Sequence, residues 1–335
     1  MAQKPDLKNE KFSMQERNLS RRDKPFVAVV IPCEPGGDPG ACLQALAQLP
    51  ARDRALVAEV WVAAGLNPSR QRNLAAARAR APWILFLDSD SRAQPGQIPA
   101  LLEAAAAEGA VTAGGPNLPL ADESPLGLSL DAVLASWAGS MASRARYAPV
   151  GARRPCGEKE LILCNLLVQR RAFLDAGGFR EDLYPNEENE LFNRLQARGL
   201  RLAYEPRAWV RRPRRGSVGA WVVQSFRYGR GRAQQMRRNF FPGDLLNLLP
   251  LALPLAWLAI GLLAPSRPAV LAVPVAYALA CWLALGLRPD RAWYLALRHH
   301  AYAAGLVAGA VGPLPQRPGA VALAKAPWRR PRAGR

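Results

Sequence analysis

Two acidic clusters are the residues of this sequence whose types and spacing best suit catalysis. The first is Asp88 and Asp90, directly after the apolar run 83–87. Two carboxylates one residue apart, at the carboxyl end of a buried strand, can share a hard cation such as Mg²⁺ or Mn²⁺. Such a cation neutralises a diphosphate and stabilises it as a leaving group. A polar turn that ends a strand is the structural alternative for the same pattern.

The second cluster is Glu187, Glu188 and Glu190, at the start of a predicted helix that also contains Arg194. A carboxylate in this position could act as a general base that removes the proton from an acceptor hydroxyl. Acidic residues in a first helical turn also interact favourably with the helix dipole. A purely structural role therefore explains the same residues.

The elements that would position these clusters alternate between strand and helix. Apolar, β-branched runs predict strands and helix-prone segments separate them. We expect an α/β domain with an open, mostly parallel sheet and helices on both faces. The predicted strands are 26–32, 59–64, 83–87 and 110–114, and the helices between them are 40–49, 69–80 and 97–109. Further on we expect a helix over 126–146, a strand over 161–168, a helix over 187–198, and short strands at 201–204 and 208–211.

Composition excludes several classes of protein. The 335 residues contain 45 Lys and Arg against 26 Asp and Glu, which gives a net charge of +19, and half of them are hydrophobic. A chain so rich in hydrophobic residues is not disordered as a whole. Its five cysteines form no CxxC pair, which argues against a disulfide scaffold and against a thiolate zinc site. Only two histidines, His299 and His300, are present, so histidine catalysis is unexpected.

The C-terminal third has the composition of a membrane region. Residues 207–243 contain ten Arg and no acidic residue, and the uncharged runs 245–266 and 268–287 follow. Runs of about 20 apolar residues can cross a bilayer, and the positive-inside rule keeps the Arg-rich flank cytoplasmic. The segment 292–314 is expected to be interfacial or re-entrant, with a third span as the alternative. Buried helices of a soluble domain are the alternative to both spans.

Both termini are predicted to be tails. Residues 1–24 contain no apolar run, so they are not a secretory signal, and we expect them to be disordered. Residues 317–335 form a basic tail. The predicted organisation is thus a catalytic domain over 25–206, an Arg-rich juxtamembrane segment over 207–243 and a membrane region over 244–316. We therefore expect a multi-pass protein of the cytoplasmic (inner) membrane, with its catalytic domain on the cytoplasmic side.

Several motifs, in this order, resemble glycosyltransferase family 2. They are the strand followed by Asp88-x-Asp90, the stretch Cys164-Asn165 to Gly177-Gly178-Phe179, and Glu187-Glu188-x-Glu190 with Arg194 and Gly199. The stretch 226–233, followed by apolar runs, is similar to the membrane-anchored branch that includes succinoglycan-type exopolysaccharide transferases. The resemblance implies a GT-A fold followed by C-terminal transmembrane helices.

The resemblance also implies site residues. Asp90 would hold Mg²⁺ or Mn²⁺, and Glu188 would be the catalytic base, with Glu187 contacting the acceptor. The residues implied to contact the nucleotide-diphosphate sugar are Asp88, Arg72, Asn73 and Glu34.

This sequence departs from the family pattern at several places. Ala63-Ala64-Gly65 replaces an Asp-Asp-Gly. After the first strand, Cys33-Glu34-Pro35-Gly36-Gly37 replaces the usual Tyr or Arg followed by Asn-Glu, and only Glu34 or Asp38 could substitute there. The base is Glu rather than Asp. Arg211-Arg212 stands where a His often follows a strand. The Gln-x-x-Arg-Trp signature of processive synthases is absent, which favours transfer of a single sugar over polymerisation.

The function that we expect is inverting transfer of one sugar to a membrane-bound, lipid-linked acceptor in exopolysaccharide or envelope-glycan assembly. Arg227 and Arg230 would bind that acceptor, because Arg forks suit a pyrophosphate, and the Arg-rich segment would contact anionic lipids. We expect no nucleic acid partner, since the basic segment adjoins a span. The alternative is a degenerate, non-catalytic member that acts as a membrane scaffold or binds glycan lipids.

Overall fold

The structure is a computed structural model that describes residues 26–313 and 319–328. The predicted tail 1–24 therefore lies outside the described residues, as do parts of the predicted tail 317–335. The described strands are β1 (Val27–Cys33), β2 (Val57–Ala64), β3 (Trp83–Leu87), β4 (Arg92–Ala93), β5 (Ala110–Gly114), β6 (Asn117–Leu118), β7 (Arg154–Cys156), β8 (Asn165–Gln169), β9 (Arg201–Tyr204), β10 (Val210–Arg211) and β11 (Ala322–Lys325).

The helices surround these strands in the first part of the chain and follow one another in the last part. They are α1 (Gly40–Ala47), α2 (Ala51–Leu56), α3 (Pro68–Arg78), α4 (Gln97–Ala107), α5 (Pro125–Ala135), α6 (Trp137–Ser140), α7 (Arg170–Asp175), α8 (Glu187–Ala197), α9 (Val218–Met236), α10 (Ala252–Leu263), α11 (Ala272–Ala284) and α12 (Pro289–Val311). Single 3₁₀ segments cover Met141–Arg146, Pro242–Leu251 and Pro268–Leu271.

The main sheet has eight strands in the order β11-β2-β1-β3-β8-β5-β9-β7. Strand β1 is parallel to both β2 and β3, and β5 is parallel to β9, as the alternation predicts. Strand β8, however, lies antiparallel between β3 and β5, and β7 and β11 are also antiparallel to their neighbours. The sheet is therefore mixed rather than mostly parallel. The sequence pattern shows that β8 is buried, but it does not show in which direction the chain enters the sheet.

The core lies on both faces of this sheet. Along β3, Ile84 and Phe86 belong to the cluster on one face, and Leu85 and Leu87 belong to the cluster on the other. Because successive side chains of a strand point to opposite faces, a strand that is apolar at every position must be covered twice. The continuous run of β3 thus accounts for the two layers of helices around it.

A second, three-stranded sheet has the order β4-β10-β6. Strand β10 pairs antiparallel with β4 and parallel with β6. It lies beyond residue 206, where we predicted that the catalytic domain ends, so strand pairing of this domain continues at least to Arg211. This small sheet fixes the position of the residue that follows it, Arg212.

The helix predicted over 126–146 is interrupted at Ser136. This residue has an extended backbone, with φ −79° and ψ 153°, and its hydroxyl accepts a hydrogen bond from the Gly139 N–H. Serine competes for backbone hydrogen bonds in this way and so favours helix ends over helix interiors. The single predicted helix is therefore α5, α6 and a 3₁₀ turn.

Helices α9 and α12 cross in close backbone contact. A Cβ atom built on Gly305 would lie 2.1 Å from the Phe226 carbonyl oxygen, and one on Gly229 would lie 2.1 Å from the Tyr302 carbonyl oxygen. The Arg298 guanidinium of α12 also donates to the Gly139 carbonyl oxygen of α6 at 2.7 Å. Helix α12 is thereby attached to the α/β domain along one side.

The apolar C-terminal runs form one candidate membrane span and one bent pair of helices. Gly243–Leu263 has 21 residues and a mean hydropathy of 2.0, and none of its most apolar window is buried. Among the described residues it is the one helix that is long and apolar enough to cross a membrane alone. Pro268–Ala284 and Pro289–Val311 meet that criterion only together, with a bend of 118° between them. The two separate spans predicted over 245–266 and 268–287 are thus not both confirmed.

We predict that the α9–α12 contact does not tolerate a methyl group. The Gly305→Ala substitution should destabilise the protein by about 1–3 kcal/mol, because the new Cβ must push two helix backbones apart. Gly261→Ala in α10 is the matched control, since a Cβ there meets nothing within 4 Å, and higher helix propensity should leave its stability equal or slightly raised. Thermal unfolding of both variants in detergent measures the difference, and equal melting temperatures would contradict this packing.

Candidate functional site

The first acidic cluster lies in a tight turn at the carboxyl end of β3. The Ser91 backbone N–H donates to the Asp88 carbonyl oxygen at 2.9 Å, and the Asp88 N–H donates to the Ser91 hydroxyl at 3.1 Å. The side chain of Asp88 is 25% exposed and that of Asp90 is 42% exposed. Both carboxylates are therefore accessible at the sheet edge where open α/β sheets bind ligands.

Arg212 lies between these two carboxylates. Its Nη1 is 2.8 Å from Asp88 Oδ2, its Nε is 2.7 Å from Asp90 Oδ1, and its Nη2 donates to Asp90 Oδ2 at 2.9 Å. The sequence analysis noted Arg211-Arg212 only as the replacement of a histidine and did not identify Arg212 as a site residue. No local pattern marked Arg212 as a site residue, because its two carboxylate partners lie 122 and 124 residues earlier in the chain.

Arg72 connects the first acidic cluster to the second. It is buried on α3, and its Nη2 donates to Asp88 Oδ1 at 2.7 Å. Its Nη1 donates to Glu187 Oε1 at 3.3 Å. One guanidinium thus brings together two carboxylates that are 99 residues apart in the chain. Arg72 is at the site as predicted, although its nucleotide contact stays a prediction.

The two guanidinium groups determine the charge of Asp88. Burial alone would raise the pKa of this carboxyl group. Arg212 and Arg72 outweigh that effect and hold the Asp88 pKa below its usual value. Asp88 is therefore negatively charged in the folded protein at neutral pH.

The second acidic cluster lies in the first turn of α8, and its three glutamates have different surroundings. Glu187 is buried, and burial together with the negative charge of Glu188 raises its pKa to about 8, although Arg72 opposes the shift. Glu188 lies 3.6 Å from Arg146 Nη1. Glu190 is also buried and accepts hydrogen bonds from Arg194 of the same helix. Arg194 in turn donates to the Gly178 carbonyl oxygen at 2.7 Å and so attaches the helix to the preceding loop.

Arg146 positions Glu188 and was missed by the sequence analysis. Its guanidinium also donates to the carbonyl oxygens of Glu158 and Lys159, at 2.8 and 2.7 Å, and to Asn189 Oδ1 at 2.5 Å. Three fixed acceptors leave the guanidinium little freedom. Arg146 ends the 3₁₀ turn Met141–Arg146, which the sequence analysis treated as the end of a helix. A helical pattern gives no indication that an arginine at this position reaches the site.

Asn73 makes contacts that differ from the predicted one. Its amide nitrogen donates to the Phe179 carbonyl oxygen at 2.8 Å, and its carbonyl oxygen accepts from the Phe179 N–H at 2.8 Å. Both ends of the amide are thus used to hold the loop that contains Gly178 and Phe179. We assign Asn73 a positioning role for this loop, and its predicted contact with the nucleotide sugar remains a prediction.

The remaining predicted residues lie around the site without contacts that define a role. Glu34 is exposed directly after β1. Arg227 is exposed and Arg230 is half-buried on α9. Their predicted contacts, with the nucleotide sugar for Glu34 and with the acceptor for the two arginines, stay predictions.

Comparisons with known proteins agree on the class of domain. Residues 57–128, which include Arg72, Asp88 and Asp90, match the model of the family described as glycosyl transferase family 2. The succinoglycan biosynthesis protein ExoA of Rhizobium meliloti (strain 1021) is 32% identical over 151 residues. This match covers 42% of the present chain and 45% of the relative, so it spans less than half the length of either protein.

A solved structure supports the same conclusion about the fold. The mannosyltransferase PcManGT from Pyrobaculum calidifontis, in complex with GDP-Man and Mn²⁺, is similar with a TM-score of 0.54 and 16% sequence identity. The similarity covers 90% of this chain and 94% of that one. At this identity the likeness establishes the fold, which is that of GT-A proteins. Residues 57–128 are thus similar to glycosyl transferase family 2, within a chain that has this fold.

Proposed function

We propose that this protein transfers a single sugar, with inversion, from a nucleotide-diphosphate sugar to a membrane-bound, lipid-linked glycan acceptor. The observation that carries the proposal is the position of the Arg72 guanidinium, which donates to Asp88 at 2.7 Å on one side and to Glu187 at 3.3 Å on the other. Donor and acceptor groups must lie in one cleft for an in-line displacement. Arg72 links the carboxylates assigned to these two substrates.

The reaction divides between the two acidic clusters. Glu188 accepts the proton of the acceptor hydroxyl, the hydroxyl oxygen bonds to the anomeric carbon, and the nucleoside diphosphate leaves with the bonding electrons. The Arg146 guanidinium lies 3.6 Å from the Glu188 carboxylate and restrains its position. The pKa of Glu187 is raised, so Glu187 is protonated while the adjacent Glu188 is the base. Different surroundings thus give the two neighbouring glutamates different roles.

A divalent cation is part of the proposal, as Mg²⁺ or Mn²⁺. Asp88 and Asp90 fit such an ion, because both are oxygen donors at an accessible turn. The described residues contain no group of three or more His, Cys, Asp or Glu side chains that could bind a metal, so the donor diphosphate would complete the coordination. When bound, the cation would supply positive charge to the leaving diphosphate.

The setting that we propose is exopolysaccharide or envelope-glycan assembly at the cytoplasmic membrane. Its support is the partial match to a succinoglycan biosynthesis protein and the unburied apolar segment Gly243–Leu263. Arg227 and Arg230 on α9 would bind the acceptor pyrophosphate, and neighbouring arginines would contact anionic lipids. A multi-pass arrangement with the catalytic domain in the cytoplasm is part of this proposal.

Donor binding decides between a transferase and a non-catalytic scaffold. Full-length protein in detergent is titrated calorimetrically with a panel of nucleoside diphosphates and their sugars, in the presence of Mn²⁺. We expect one nucleotide to bind and Asp88→Asn to weaken it at least about tenfold, the loss typical of a buried charged contact. If folded protein binds no donor of the panel, the scaffold function replaces the proposed one.

The base is tested by replacing Glu188 with glutamine. Glu188→Gln should lower the transfer rate by about 10²-fold or more, because general base catalysis contributes that much, and leave donor affinity unchanged within about twofold. Glu103→Gln, at an exposed glutamate on α4, is the control for the loss of one charge and should transfer sugar at the normal rate. Transfer by Glu188→Gln at the normal rate would remove Glu188 as the base.

The raised pKa of Glu187 predicts a pH dependence of stability. Between its ordinary value of 4.5 and about 8, folded protein holds a proton that unfolded protein releases. The contribution of Glu187 to stability is therefore largest at low pH and is lost as the pH rises through this window. In urea unfolding with EDTA, Glu187→Gln should gain stability relative to the unmodified protein between pH 5 and pH 8.5, by on the order of 1 kcal/mol. A constant difference between the two proteins would contradict the raised pKa.

A further inference from the structure

We propose that Arg212 and a divalent cation exclude each other at Asp88 and Asp90. A cation would then bind only when the guanidinium leaves the two carboxylates, and the freed guanidinium would pair with the donor diphosphate. This inference rests on the cation site of the proposed function and adds to it a residue that competes for that site.

The first argument is geometric. All four carboxylate oxygens of Asp88 and Asp90 lie within 2.9 Å of a guanidinium nitrogen, three of them with Arg212 and one with Arg72. A cation such as Mg²⁺ needs carboxylate oxygens at about 2.0–2.1 Å. An ion bridging both carboxylates would have to lie where the Arg212 guanidinium now lies. The two cannot share the position.

The second argument is that the backbone fixes Arg212 at this place. Its backbone N–H donates to the Leu118 carbonyl oxygen at 2.9 Å. Strand β10 before it pairs Val210 with Ala93 and Arg211 with Arg92, and this antiparallel register continues toward the turn of Asp90. Strand β10 pairs with β4 on one side and with β6 on the other. These two pairings hold residue 212 next to the turn of Asp88 and Asp90. The contact of Arg212 with the two carboxylates is therefore fixed by the fold and does not depend on a freely moving surface side chain.

The third argument concerns charge. Arg212 compensates Asp88 and Asp90 in the free protein, and a divalent cation would compensate them instead. With both present, a guanidinium and a cation a few ångströms apart would repel each other. A diphosphate brings the negative charges that a displaced guanidinium needs, and the Arg fork fits its oxygens. Cation and donor should therefore increase each other's affinity.

Mn²⁺ alone is the probe for the first test. Full-length protein in detergent is titrated with Mn²⁺, and free Mn²⁺ is measured by electron paramagnetic resonance. Arg212→Gln should bind Mn²⁺ at least about tenfold more tightly than the unmodified protein, because it lacks the competing charge. Equal affinity, or no Mn²⁺ binding by either protein, would overturn the proposal.

Arg211→Gln is the matched control. It removes the same charge from the adjacent residue, whose guanidinium donates to the Pro119 carbonyl oxygen at 2.7 Å rather than to the carboxylates. Its Mn²⁺ affinity should stay within about twofold of the unmodified protein, since its guanidinium does not occupy the place where the ion would bind and solvent screens its charge in part. If Arg211→Gln tightened Mn²⁺ binding as much as Arg212→Gln, net charge would explain the effect and the proposal would fail.

A second test needs no variant and so does not depend on how Arg212→Gln folds. Phenylglyoxal modifies accessible guanidinium groups, and mass spectrometry locates the modified residues. Saturating Mn²⁺ should speed modification of Arg212 at least about fivefold and leave Arg211 unchanged, because the ion releases the Arg212 guanidinium from its ion pairs. An unchanged or slower rate at Arg212 would overturn the proposal.

Neither test uses a donor or an acceptor. A negative result therefore leaves the proposed sugar transfer intact, with Arg212 in another role. Conversely, if the protein bound no donor of the panel, the proposed function would fail, but the expected result of the Mn²⁺ titration would stay the same.

Discussion

The site depends on the neutralisation of acidic side chains that the fold brings close together. Carboxylates gathered in a partly buried cleft repel each other and lose hydration, and either effect alone would protonate them or push them apart. Guanidinium groups from three separate parts of the chain counteract both effects, although the pKa of Glu187 remains raised. The carboxylates are those of Asp88, Asp90, Glu187 and Glu188, and the guanidinium groups are those of Arg72, Arg146 and Arg212.

Each guanidinium reaches the cleft through a different element, so the charge balance depends on the tertiary structure. Arg72 comes from α3, which follows β2, and Arg212 comes from the short strand β10 of the second sheet. Arg146 comes from the 3₁₀ turn after α6, and that region also contacts α12 through Arg298. The part of the cleft that contains Glu188 is therefore connected to α12.

The sequence predicts best what local patterns determine. Strands β3 and β5 begin and end at the predicted residues. The apolar run of β3 stops at a polar turn, and β5 begins directly after a glycine. The direction of β8 and the break at Ser136 were not predictable in the same way, since they depend on long-range pairing and on one hydroxyl group. At the site, carboxylates could be found from their spacing. Arg212 could not, because its partners lie 122 and 124 residues away.

The same network shows why arginine rather than lysine occupies the basic positions of this site. Only six of its 45 basic residues are Lys, and an ammonium group is a single point of charge, whereas a guanidinium presents several donors in a plane. Arg72 needs two nitrogens to hold Asp88 and Glu187, and Arg212 needs three to hold Asp88 and Asp90. A lysine at either position could compensate one carboxylate but could not fix the distance between two. Arginine is thus required here for geometry as much as for charge.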